Sequence, residues 1–242
     1  MIGSRSGLNA LSWLANRLAG DSKASRRIPL LKVVQYLKES LNQMWVGADP
    51  GGAEKFGIAL LFEDGRFSAE SVSCADEAVE VVLRSSISPE GAGIDAPMWW
   101  SGGRSGDRTA DQWLRKRHGI AAGTVQATNS LRGAALVQGA LFAERLRRHF
   151  PALPITESHP KALLIALGLA TDGRSQWREF CARYSVRGEY ASEHDRDAVI
   201  GAVAAREGFA GRWRRDLAGN RSASEQDPST YWLAPMRYFW PE

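Results

Sequence analysis

The chain is poor in cysteine and has no long apolar run, and each absence narrows its class. Only Cys74 and Cys181 occur in 242 residues. That excludes a disulfide scaffold and a cysteine-rich zinc fold, and it suits a reducing, cytoplasmic setting. No apolar stretch approaches the ~18–20 residues that a membrane span needs, so no membrane partner is expected. Internal repeats and low-complexity tracts are also missing, and no linker follows residue 43. The remaining composition, 44% hydrophobic and 24% charged, is that of a globular chain long enough to bury a core.

The charge is unevenly placed. Of 31 basic and 27 acidic residues, seven and two fall in residues 1–40, leaving 24 and 25 in the rest. The net charge of +4 is therefore an N-terminal property, and the remainder is almost neutral. Within the basic segment, Leu8, Leu11, Leu14 and Leu18 recur at helical spacing, and a second helix is expected over residues 30–41. No apolar stretch with an export cleavage site precedes the domain. A solvated arm, an organelle transit peptide, and an upstream extension of a protein starting at Met44 all stay open for residues 1–43.

From Met44 onward the pattern is that of alternating strands and helices. Residues 44–48 form a short apolar run ending in Asp49 and followed by the turn residues Pro50-Gly51-Gly52. Residues 56–62 read as a second strand. Asp64-Gly65 reads as a tight turn and 66–73 as a third strand, which makes an antiparallel meander. A helix over 76–86 precedes a buried strand at 91–94, which ends in Asp95 and is stopped by Pro97. Helices are expected at 109–117 and 131–150, a fifth strand at 153–156 leading into Glu157, and helices at 161–169, 175–184 and 196–207. The aromatic tail from Tyr231 is expected to pin itself onto the core. Strands that start as a meander and then alternate with helices predict an α/β fold with a mixed five-stranded sheet.

Three of these strands end in a carboxylate: Asp49, Asp95 and Glu157. A carboxylate at the end of an apolar strand is costly unless it is paired, hydrogen-bonded or metal-bound. Neighbouring strand ends lie about 5 Å apart, so three such acids suggest convergence. Oxygen-only ligands select Mg²⁺ or Mn²⁺. A fourth contribution comes from the helix that holds His194, Asp195 and Asp197. Asp195 and Asp197 point about 200° apart and cannot both face one site. Ser192 and Asp195 have capping-box spacing, whereas Asp197 shares its face with His194, Gly201 and Ala204. Asp197 is therefore the expected ligand, with His194 beside it. His159, held before Pro160, reads as structural.

VGADPGG, GIDAPMW, ESHPKALL and HDRDAVIGAVAA occur in this order. The set resembles an uncharacterised, domain-of-unknown-function family of predicted nucleases with an RNase H-like fold, distantly similar to Holliday-junction resolvases. The match covers residues 44–242. It implies Asp49 on the central strand, Asp95 on its neighbour and Asp197 on the last helix, holding Mg²⁺ or Mn²⁺, with Glu157 and His194 in the catalytic set. It further implies hydrolysis of nucleic-acid phosphodiester bonds with two metal ions about 3.5–4 Å apart. Two positions depart from the pattern: Asp95 stands where such nucleases often carry glutamate, and Lys161 follows Pro160 where an acid is expected. Arg104 and Arg108, in the loop after the Asp95 strand, have the planar guanidinium that suits phosphate, and are expected to position the nucleic-acid backbone.

Two rival readings come from other classes. One is a non-catalytic RNase H-like module that binds nucleic acid or a protein. The other is a nucleotide-binding domain, because Asp49-Pro50-Gly51-Gly52 also resembles the phosphate loop of actin and sugar kinases. Those proteins close two such domains around ATP, and about 200 residues hold only one.

Overall fold

In the computed structural model the described residues are 43–103, 106–128, 133–169, 173–222, 225 and 236–242. The basic segment, with its two expected helices, lies outside them, as does Arg104. Ser40–Glu242 belongs to one compact unit.

The meander forms as the alternation predicts: β1 (Met44–Asp49), β2 (Phe56–Phe62) and β3 (Phe67–Val72). The turn before β3 uses Gly65 at φ +84°, in the left-handed region that glycine enters without a Cβ penalty. Next come α1 (Ala75–Leu83), β4 (Pro89–Ile94), α2 (Thr109–His118), α3 (Ala134–His149), β5 (Ile155–Glu157), α4 (Pro160–Ala166), α5 (Arg174–Tyr184) and α6 (Glu193–Phe209). The five-stranded sheet runs β3-β2-β1-β4-β5. β1 is antiparallel to β2 and parallel to β4, and β4 is parallel to β5. This is the mixed α/β sheet of the RNase H-like architecture. β4 begins two residues before the expected strand because Pro89, which lacks an N–H, occupies its first position.

Period-two alternation assigns the two faces of the sheet. Phe56 points to one face, where its ring meets Phe142 of α3 edge-on at 5.6 Å. Gly57 points to the other, where an added Cβ would run into the His194 carbonyl of α6. Gly47 and Gly93 lie on that same face, and a Cβ on either would overlap the α6 backbone, at Ala198 and Gly201 respectively. Glycines on the strands and small residues on the helix therefore let α6 lie directly on β1, β2 and β4. α6 is buried almost throughout its length from Asp195 to Gly208. Gly47→Ala is expected to cost about 1–3 kcal/mol, because the backbone of α6 must shift to admit one methyl. Urea unfolding checks this, and an unchanged midpoint would contradict the close approach.

The C-terminal tail is held by a ribbon that the sequence reading missed. β6 (Arg215–Asp216) pairs with β7 (Phe239–Trp240), and Arg237 exchanges backbone hydrogen bonds with Ile155 and Glu157 on the outer edge of β5. Tyr238 and Trp240 are fully buried, as expected of a pinned aromatic tail. Tyr231 and Trp232 lie outside the described residues. Among the described residues no helix is long and apolar enough to cross a membrane.

Candidate active site

Register brings the first two aspartates together. Ala48 pairs with Ile94, and Asp95 N–H donates to the Ala48 carbonyl at 2.8 Å, so Asp49 and Asp95 leave adjacent strands at one edge. α6 starts over the same edge. Its first turn is fixed by the expected capping box: Ser192 Oγ accepts from Asp195 N–H, and Asp195 Oδ2 accepts from Ser192 N–H. Asp195 also accepts from Ser71 Oγ of β3 at 2.8 Å, so its carboxylate has a structural task. Two residues on, Asp197 is 2% exposed, and its charge acts on both Asp49 and Asp95.

The three carboxylates oppose one another in a largely buried setting. Burial pushes the Asp49 carboxyl up to about 6; the hydrogen bond from His194 lowers it and Asp197 raises it. Asp95 is driven well above the usual carboxylate range, first by burial and then by Asp49, Asp197 and Glu157. Asp197 is raised by burial, against the pull of Arg196, whose Nε donates to Asp197 Oδ1 at 2.8 Å. His194 Nδ1 donates to Asp49 Oδ2 at 2.7 Å, which leaves Nε2 as the ring's open nitrogen. Asp95 makes no side-chain hydrogen bond among the described residues, although its carboxylate is largely buried.

Two expectations require correction. Glu157 is placed at the end of β5, but both its oxygens are taken. Oε1 accepts from Arg108 Nη2 at 2.7 Å; Oε2 accepts from Arg108 Nη1 at 2.8 Å and from Met98 N–H at 3.0 Å. It is thus a buried structural carboxylate and not a free member of the acidic set. Arg108 is not a surface phosphate contact. It is 2% exposed, clamps Asp111 as well as Glu157, and stacks over Trp99 at 4.2 Å. Its guanidinium fork meets carboxylates inside the fold instead of phosphates outside it.

The site also contains a cation that the sequence reading treated only as a departure. Lys161, on the first turn of α4, pairs with Glu193 at 3.1 Å, and both side chains are half exposed. Its charge lowers the carboxyls of Asp49, Asp95 and Asp197. The signal for it lay in the SHPK run, which carries the chain from β5 directly into α4 beside the acids.

No family model, curated protein or solved structure matches the chain. The site must therefore be judged on its own chemistry. Among the described residues, no group of three His, Cys, Asp or Glu side chains already stands close enough to enclose a metal ion. Asp49, Asp95 and Asp197 nevertheless supply the hard oxygen donors that Mg²⁺ and Mn²⁺ take, and Asp95 supplies them unencumbered. A divalent cation would offset a repulsion for which the described side chains provide only Arg196, Lys161 and His194 as counterweights.

Proposed function

We propose that this chain is a metal-dependent nuclease that hydrolyses phosphodiester bonds in nucleic acid, related to the RNase H-like predicted nucleases that its motifs resemble. The observation that carries the reading is the convergence of Asp49, Asp95 and Asp197, from two strands and a helix, on one edge of the sheet with carboxyls all held above their ordinary range.

Asp49, Asp95 and Asp197 would hold Mg²⁺ or Mn²⁺. Bound there, the cation supplies Lewis-acid stabilisation of phosphate charge and a more acidic water. The protein's own groups do the rest. Asp49 fixes the His194 ring through Nδ1–H, so proton exchange with water or the leaving oxygen falls to Nε2. Lys161, released from Glu193, offers its ammonium to a phosphate oxygen. The buried Arg108–Glu157–Asp111 cluster holds the start of α2 against the end of β5 and so keeps the Asp95 loop in place.

One observation favours a second reading, a binding module without catalysis: the ligands do not yet enclose a metal among the described residues. A cleavage panel separates the two. Full-length protein is incubated with single-stranded, duplex, RNA–DNA hybrid and four-way junction substrates in Mn²⁺, Mg²⁺ or EDTA. Cleavage of at least one substrate that EDTA abolishes is expected. Binding without cleavage in any metal would favour the module.

A further inference from the structure

His159 stands beside this site with a ring nitrogen that no described residue satisfies. It is the residue before α4, held in place by its neighbour: Ser158 N–H donates to the Ile94 carbonyl at 2.8 Å. Its own carbonyl accepts from Leu163 N–H at 2.9 Å. The imidazole Nε2 lies 3.1 Å from the Thr124 carbonyl. A carbonyl can only accept, so Nε2 carries the proton and Nδ1 presents a lone pair. Among the described residues, Nδ1 is shut off from solvent and has no hydrogen-bond partner. It lies 4.0 Å from Asp95 Oδ1, the carboxylate that also lacks a side-chain hydrogen bond among the described residues.

Once Asp95 is ionised, two acceptors face each other across this gap, and each is costly to leave bare: an unsatisfied buried polar atom costs about 1–3 kcal/mol. A direct hydrogen bond does not span 4.0 Å. We infer that His159 Nδ1 is a ligand of the divalent cation, paired across it with Asp95 Oδ1, so that the centre is a mixed imidazole–carboxylate site. The inference rests on the metal-dependent reading above. Donors about 2.1 Å from one ion stand about 3.0 Å apart at a right angle, so a side-chain adjustment of roughly 1 Å brings both onto a shared ion. The Thr124 carbonyl on Nε2–H is the usual outer partner of a metal-bound histidine, fixing both tautomer and ring orientation. An imidazole donor favours Mn²⁺ over Mg²⁺, which prefers an all-oxygen shell.

The test is Mn²⁺ binding to full-length protein, followed by pulsed EPR to detect a coordinated nitrogen. Wild type is expected to bind Mn²⁺ and to show nitrogen coupling. The coupling should persist in His194→Gln and vanish in His159→Gln, with Mn²⁺ affinity falling about tenfold or more in the latter. Persistence in His194→Gln assigns the nitrogen to His159 even if the His159 variant fails to fold. Mn²⁺ bound without nitrogen coupling, or coupling lost in His194→Gln, overturns the inference and leaves a carboxylate centre standing. Absence of Mn²⁺ binding to wild type overturns both.

Discussion

Arg108→Met should destabilise the fold by about 3–5 kcal/mol, the cost of stripping one partner from a buried ion cluster. Arg108 is a single cation set between two buried carboxylates, Glu157 and Asp111. Removing it leaves both acids, Trp99 O and the Met98 turn without their common anchor. At about 2–4 °C per kcal/mol for a chain of this size, the melting temperature should fall by roughly 10 °C. Glu157→Gln should cost less, about 1–2 kcal/mol, because Arg108 and Asp111 then remain as a balanced pair. It should also leave cleavage within a few-fold of wild type. Calorimetry and the cleavage assay together check this: a stable Arg108→Met protein, or a Glu157→Gln protein that folds but does not cleave, would contradict the structural assignment of Glu157.

Asp95→Asn should act in the opposite sense on stability and abolish the metal response. The carboxyl of Asp95 is raised first by burial and then by three neighbouring acids, so its charge works against folding near neutral pH. A native-state pKa above the unfolded one means that this ionisation lowers stability as pH rises through that interval. The amide is nearly isosteric and uncharged. In EDTA the variant should therefore melt at least about 2–4 °C above wild type, the shift made by about 1 kcal/mol. Saturating Mn²⁺ should raise the wild-type melting temperature, as any ligand of the native state does, and leave Asp95→Asn unchanged. A lower melting temperature in EDTA would mean that Asp95 has a partner that stabilises its charge.

The five-stranded sheet was legible because its signals are local. The apolar run of β2, the alternation of β3, the Asp64-Gly65 turn and the Pro-Gly-Gly after Asp49 each act within a few residues. The capping task of Asp195 was also local, since its pairing with Ser192 lies within one turn. Glu157 and Arg108 were misread because their pairing joins residues 49 apart, and a strand-terminal acid carries no mark of the arginine that will meet it. The orphaned Nδ1 of His159 depends on the Thr124 carbonyl, 35 residues away. The β6–β7 ribbon escaped because strands of two residues have no periodicity to read. Each miss is thus a long-range polar or backbone pairing, whereas the apolar alternation carried the layers of the fold.

The most direct test is the Mn²⁺-dependent cleavage rate of Asp197→Asn against wild type, on whichever substrate the wild-type protein cuts. Asp197 contributes a carboxylate to the acidic edge but lies outside the Arg108 cluster, and its amide keeps the shape of α6. A loss of at least about 100-fold is expected, the usual order for removing one charge-stabilising group from a catalytic site, with the melting temperature in EDTA lowered by only about 2–4 °C, the shift made by about 1 kcal/mol, because the amide oxygen can still accept from Arg196. Cleavage at the wild-type rate by a folded Asp197→Asn protein would place the chemistry elsewhere.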